Sequence, residues 1–288
     1  MVFYYANSGH KIGLERVRRG AALLKRLARQ GVETQLLVND FRAGLAAKDM
    51  GVKEYVTVET VQDIDAIAEA GNSIIIDSPE DDHGRLVKYC ADFKTVWRFA
   101  HDNSDSSVHG EILLKAGCKD ESCVDAIIID DIYFEENTKE ERILFFLSDA
   151  DYDKTILNNE NFFKTLDMEL LLGNYFFVKY EDDLAKLFSQ LHEPEEYEAL
   201  IQRSSTVVTS SSQTALEAKI AGAKVIYIDL IEETIYPVEL LNSLGIESVN
   251  GLDAEAVQDL LNKNNPQDNR ESKEKVLSIS EKLIKHII

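Results

Sequence analysis

Two short turns in this sequence gather small residues, hydroxyls and charges in a pattern suited to an anionic ligand. The first is Asn7-Ser8-Gly9-His10-Lys11-Ile12-Gly13, which follows the apolar run Val2–Ala6. Its glycines let backbone approach a ligand closely, and a helix opening just after it would turn a positive partial charge toward an anion. His10 can take or give a proton near neutrality, or it is a loop histidine bonded only to backbone. Arg16, Arg18 and Arg19 stand near the start of the following helix. Exposed, each would oppose the helix dipole at a cost of about 0.3–1 kcal/mol. A bound anion or an acidic neighbour would offset that. The spacing is not G-x-G-x-x-G, so a dinucleotide fingerprint is absent.

The second turn is Thr209-Ser210-Ser211-Ser212-Gln213-Thr214, ahead of Ala215-Leu216-Glu217-Ala218. One or two of these residues would cap a helix, while four consecutive hydroxyl residues exceed what a cap needs and suit a phosphate cradle. A third segment is acidic. Asp149, Asp151, Asp153 and Glu160 fall at positions 1, 3, 5 and 12 of a calcium-loop pattern, with Lys154 where that pattern requires glycine. The alternative is a solvated loop that caps the next helix, and no metal is expected there.

The elements that would position these turns follow from periodicity. Val2–Ala6 reads as a buried strand, and Leu14, Val17, Ala21, Leu24 and Ala28 form one face of a helix that Gly31 stops. Strands are also expected at Gln35 to Val38, Ser73 to Ile76, Thr95 to Phe99 and Ala126 to Ile129. Asp130 to Arg142 is polar and acidic and reads as a linker. Strands then resume at Ile143 to Leu147, Phe176 to Val178, Thr206 to Thr209 and Lys224 to Ile228, with helices at Asp182 to Leu191, Glu195 to Gln202 and Thr214 to Ala221. Asn262 to Ser272 should be loop and Lys273 to Ile288 a last amphipathic helix. The alternation predicts parallel sheets covered by helices. The expected organisation is an N-terminal Rossmann-like domain over 1–141, a second, nucleotide-binding one over 142–272, and a terminal helix over 273–288, with the two domains facing a cleft.

Composition narrows the partners. The 288 residues are 44% apolar and 29% charged, the balance of a folded globular protein. A net charge of −21 opposes nucleic acid and anionic membrane. Residues 1–30 depart from it, carrying seven basic side chains against Glu15. That basic helix either binds an anion or docks on an acidic face of the same molecule. Cys90, Cys118 and Cys123 are an odd count without a C-x-x-C pair and are expected as buried thiols. No apolar run approaches the ~18 residues of a membrane span and no signal peptide is evident, so a cytoplasmic protein without membrane insertion is expected.

The stretch from Thr209 to Ile228 resembles the C-terminal signature of GT-B sugar-nucleotide proteins. The segment Ile12-Gly13-Leu14-Glu15-Arg16-Val17-Arg18-Arg19 resembles the N-terminal turn and helix of the UDP-sugar hydrolase of pseudaminic acid biosynthesis and its spore-coat polysaccharide relatives. The resemblance implies an α/β fold of two Rossmann-like domains. It implies that Ser210, Ser211, Ser212, Gln213 and Thr214 carry the diphosphate and Glu217 reaches the ribose. It also places Asp77 in another active-site loop. Asn7, Ser8, Gly9, Arg16 and Arg19 would hold ligand, and His10 or Asp77 would move the proton. The implied function is sugar-nucleotide binding in bacterial surface-glycan (nonulosonate) synthesis, as a UDP-sugar hydrolase or glycosyltransferase-like enzyme without a cofactor. A nucleotide-sugar epimerase shares the fold on a usually longer chain. Departures favour a rival, a non-catalytic binder of a ligand or protein partner. Glu15 and Arg16 stand where the hydrolases carry glycine and a catalytic histidine, Ser78 and Pro79 replace a histidine and a tyrosine, and Ser148-Asp149 replaces a Gly-Gly turn.

Overall fold

The computed structural model describes residues 1–102, 104–230, 234–263 and 269–288 and, of Val178, the backbone alone. The chain divides into two units, Met1–Asp130 with Val276–Ile288, and Asp131–Lys275.

The first unit runs β1 (Val2–Ala6), α1 (Glu15–Arg29), β2 (Thr34–Val38), α2 (Phe41–Asp49), β3 (Tyr55–Thr57), β4 (Ser73–Asp77), α3 (Arg85–Asp92), β5 (Thr95–Phe99), β6 (Ile112–Lys115) and β7 (Val124–Asp125). All its strand pairs are parallel, in the order β3-β2-β1-β4-β5-β6-β7. Every residue of β1 and β4 is buried, as expected for central strands covered on both faces. Helix α1 lies close on β1, because a Cβ at Gly20 would stand 2.6 Å from the Tyr4 ring. Arg16 lies one turn before Gly20 on that helix face and three residues before Arg19, so Arg16 neighbours both along the helix surface.

The second unit runs β8 (Glu140–Phe146), α4 (Thr155–Asn158), α5 (Glu160–Thr165), β9 (Glu169–Leu171), α6 (Val178–Leu184), β10 (Leu191–His192), α7 (Tyr197–Arg203), β11 (Ser204–Thr209), α8 (Ser212–Ala221), β12 (Lys224–Asp229), α9 (Val238–Ser243), β13 (Glu247–Asn250) and α10 (Ala254–Asn262). Its parallel sheet is ordered β10-β9-β8-β11-β12-β13. Helix α11 (Arg270–Ile287) starts in this unit and ends in the first. Counted from each unit's first strand, both sheets contain the order 3-2-1-4-5-6, whose direction reverses between strands 1 and 4.

Several expectations are corrected. Ala126 to Ile129 is fully buried but is not a strand; among the described residues the ladder holds Val124–Asp125 and the Ala126 amide adds one bond to the Lys115 carbonyl, so burial explains most of that apolar run. Phe176 to Val178 is not a strand. The second strand of that unit is Glu169–Leu171, and Val178 opens α6, which ends at Leu184 ahead of Leu191, the first residue of β10. The last helix starts at Arg270 rather than Lys273, and the part of the expected loop at 264–268 lies outside the described residues. Cys118 and Cys123 are not thiols but a disulfide, with Cα atoms 6.0 Å apart across the turn after β6. Close spacing within one turn lets them meet without a wider framework. Cys90 alone is free, and half-buried. Among the described residues no helix is long and apolar enough to cross a membrane.

Candidate functional site

In the first unit the strand order reverses between β1 and β4, where Asn7 follows β1 and Asp77 ends β4. The Asn7 amide donates to the Asp77 carbonyl at 3.0 Å. The Asp77 side chain is fully buried. It accepts from Arg19 twice, Nε to Oδ2 at 2.9 Å and Nη2 to Oδ1 at 2.7 Å, and from the Tyr4 hydroxyl at 2.5 Å. Burial first, and then the charge of Asp77, pushes the Tyr4 hydroxyl well above its ordinary pKa, so it remains a proton-bearing donor. The Arg19 guanidinium also lies 3.7 Å over the Phe99 ring. Arg19, expected as a ligand contact, is thus turned inward, and Asp77, expected to handle a proton, is an ionic anchor with both oxygens engaged. For this pair, docking on an acid of the same molecule is what the basic helix does. Arg26 donates to the Ile129 carbonyl and Lys25 pairs with Asp130 in the same manner.

Arg16 differs. It is 9% exposed, its Nε is 3.5 Å from Asp77 Oδ1, and among the described residues that Nε has no hydrogen-bond partner. Asn7 Oδ1 is likewise buried and without a partner. Helix α1 has no side-chain cap at its start. Gly9, with φ of 150°, offers open space where a Cβ would stand. An unbonded acceptor, an unbonded guanidinium nitrogen and an uncapped helix start therefore come together at one strand end. Ser8 is engaged otherwise. Its amide and hydroxyl both donate to Asn39 Oδ1, and Asn39 Nδ2 donates back to the Ser8 carbonyl. His10 is half-exposed, its Nε2 3.5 Å from Arg42 Nη1 at the start of α2.

Sequence reasoning passed over His101, two residues beyond β5. Burial lowers the pKa of its imidazole, with Asp77 raising and Arg16 lowering it as smaller influences, so the ring is neutral at pH 7. Arg98 on β5 holds the loop by bonding Asp105 at 2.6 and 2.9 Å and Glu111 at 3.2 Å, and Asp105 accepts the His101 amide at 3.1 Å. A histidine in a polar loop has no sequence signal of its own. The available clue was its place just past an apolar run.

In the second unit the reversal lies between β8 and β11. The Ser210 hydroxyl ties the two strand ends together, donating to the Leu147 carbonyl at 2.5 Å. Ser211 caps α8 by accepting the Thr214 amide at 3.1 Å, and its own amide donates to Thr209 Oγ1. Ser212 Oγ accepts the Tyr236 amide, and Thr214 Oγ1 bonds both Ser211 and Tyr197. Glu217 is 2% exposed, with Oε2 accepting from Tyr197 at 2.6 Å and Oε1 from Gln213 at 2.7 Å. The hydroxyl-rich turn sits where a cradle was expected, but its hydroxyls brace the turn, and Glu217 is held inside it.

The acidic loop is a cap. Asp151 accepts the amides of Thr155 at 2.6 Å and Ile156 at 3.1 Å, as well as the Tyr180 hydroxyl, while Asp149 accepts from Asn174. Among the described residues these acids do not converge as a metal-ligating group. A concavity of ≈ 700 Å³ lined by Met1, Lys25, Arg29, Thr34 and Glu54 lies at the amino ends of β1 and β2, away from Asn7 and Asp77 at the carboxyl ends of that sheet's central strands.

The sequence matches no protein-family model and none of the curated proteins. Solved structures do match over nearly the whole chain. The S. aureus MnaA–UDP complex superposes with TM-score 0.63 at 13% identity, covering 99% of this chain and 95% of that one. The Methanocaldococcus jannaschii UDP-GlcNAc 2-epimerase in complex with UDP-GlcNAc and UDP gives 0.55 at 13%, covering 97% and 99%. A glycosyltransferase from Rickettsia africae gives 0.58 at 10%, covering 99% and 96%. The fold is GT-B. At such identities the likeness is one of fold, and the chemistry has to be argued from the residues themselves.

Proposed function

We propose that this chain binds a nucleoside-diphosphate sugar and acts on it as a hydrolase or transferase of bacterial surface-glycan synthesis. The nonulosonate branch is the one that the Ile12 to Arg19 resemblance favours. The observation that carries the reading is Arg16, a guanidinium nine-tenths buried with Nε unbonded, together with the equally unbonded Asn7 Oδ1, both residues being in contact with Asp77. A buried charge without a full complement of hydrogen bonds is costly, and a diphosphate oxygen would supply the acceptor. A sugar hydroxyl would supply the donor that Asn7 lacks. The solved structures support a ligand of this class, since S. aureus MnaA is described with UDP and the Methanocaldococcus jannaschii epimerase with UDP-GlcNAc and UDP.

A second reading, a non-catalytic binder, draws on the internal bonding of Glu217 and of the Ser210 to Thr214 hydroxyls. Titration with UDP-, CMP- and GDP-sugars, followed by a product assay, separates the two. Binding with release of nucleoside diphosphate supports the enzyme. Binding with the sugar nucleotide left intact supports the binder, and no binding across the panel removes both.

A further inference from the structure

We propose that His101 is the proton-accepting group of the first unit's site, a role that rests on the sugar-nucleotide reading above. Strands β4 and β5 are neighbours with Ile76 opposite Arg98, so Asp77 stands level with Phe99, two residues before His101. The chain leaving β5 is fixed at each step. The Ala100 amide donates to the Leu114 carbonyl at 2.8 Å, and the His101 amide to Asp105. The His101 ring, by contrast, is half-buried and makes no hydrogen bond among the described residues. A hydrogen-bonded backbone that carries an unengaged imidazole within the electrostatic reach of Arg16 and Asp77 suits general-base chemistry.

The charged groups acting on the ring are Asp77 from β4, Arg16 from α1, and Asp105 and Arg98 from β5 and its loop. Burial outweighs them and keeps the imidazole neutral, hence able to accept a proton at pH 7. In hydrolysis, a water molecule would lose a proton to a ring nitrogen while its oxygen bonds the anomeric carbon. The bond from that carbon to the diphosphate oxygen would break, and the nucleoside diphosphate would leave with the electron pair, its charge met by Arg16. His10, beside Arg42, and Asp77, held by Arg19 and Tyr4, are the rival proton carriers.

The test uses the full chain and whichever UDP-, CMP- or GDP-sugar it binds. His101→Asn should lower kcat by about 10² to 10⁴ while the nucleotide Kd changes by less than about threefold. In His101→Ala, added imidazole should restore part of the turnover. The acid limb of kcat/KM, set below the ordinary histidine value, should disappear with the ring. Undiminished turnover in His101→Asn, or a loss that imidazole does not relieve, overturns the assignment. A wild-type chain that binds a sugar nucleotide without turning it over also overturns it, yet leaves the binding reading standing. Failure to bind any of the panel removes that reading itself.

Discussion

Arg19 and Asp77 lie 58 residues apart in sequence and meet in a two-point pair, 2.9 Å and 2.7 Å, with both side chains almost wholly out of solvent. Removing one partner strands the other's charge in a place where water cannot reach it. Asp77→Ala and Arg19→Met should each lower unfolding free energy by about 3–5 kcal/mol. The double variant should lose less than the sum of the two. Urea unfolding of the four proteins measures this, and strictly additive losses would show that the pair is not coupled.

Arg16 should behave in the opposite way. Its contact with Asp77 is 3.5 Å long, and its removal leaves Asp77 bonded to Arg19 and Tyr4. Arg16→Met should cost much less stability than loss of Arg19, because no buried charge is left without a partner. It should weaken sugar-nucleotide binding by about 1.5–3 kcal/mol, on the order of 10- to 100-fold in Kd. A variant that loses stability while keeping its affinity would make Arg16 one more structural arginine of α1.

This split was not legible in the sequence, although the place was. Short apolar runs that end in small polar residues mark the carboxyl ends of β1 and β11, and the turns chosen there flank the reversal point of each sheet. Local pattern carries that much, because strand, turn and helix start are neighbours in the chain. It does not carry partner choice. Arg16 and Arg19 are three residues apart and chemically identical, yet tertiary geometry turns one onto a carboxylate and leaves the other's Nε unbonded. The hydroxyls of Ser210 to Ser212 were legible as a helix start, but not the Leu147 carbonyl or the Tyr236 amide that engage two of them. Strands of three or four residues such as β3, β6 and β9 fell below what periodicity resolves. Apolar content at Ala126 to Ile129 and Phe176 to Val178 imitated strands where burial or a helix start was the actual demand.

Arg98 organises the loop that bears His101. Burial raises the carboxyls of Asp105 and Glu111, but hydrogen bonds from Arg98 and the His101 amide to the first, and from the His109 and Val108 amides and Arg98 to the second, hold both below their ordinary values. Carboxylates so held stabilise the fold above an unfolded value of about 4, and the benefit disappears as pH falls through the lowered folded values. Arg98→Ala should therefore destabilise the protein at neutral pH and flatten its loss of stability below about pH 4. Unfolding midpoints at pH 3, 4 and 7 check it; parallel profiles for variant and wild type would refute it.

Tyr197 donates to Glu217 from α7, and the acceptor is buried. Tyr197→Phe keeps the ring and removes the donor, leaving Glu217 Oε2 short of a bond at a cost of about 1–3 kcal/mol. If Glu217 turns outward to a ribose when ligand binds, the same variant should bind sugar nucleotide more tightly relative to its stability, because an internal competitor for the carboxylate is gone. Unchanged affinity would keep Glu217 in a structural role.

Lys139 provides a test in the alkaline range. Its ammonium donates to the Gln202 carbonyl at 2.7 Å, and burial, followed by the like charge of Lys273, pushes its pKa down to about 8. Unfolded, the same group titrates near about 10.4. Between those values the unfolded chain binds a proton that the folded chain does not, so stability attributable to this residue rises with pH across that window. Below pH 8 the folded state carries a poorly solvated charge. Lys139→Met should consequently be more stable than wild type at pH 7, less the modest worth of the Gln202 bond, and its advantage should shrink as pH approaches 10. Denaturant midpoints of the two proteins at pH 7, 8.5 and 10 isolate this residue, since every other titrating group is common to both. A difference that stays constant across the three values would mean that Lys139 keeps an ordinary pKa and that its burial is relieved by water.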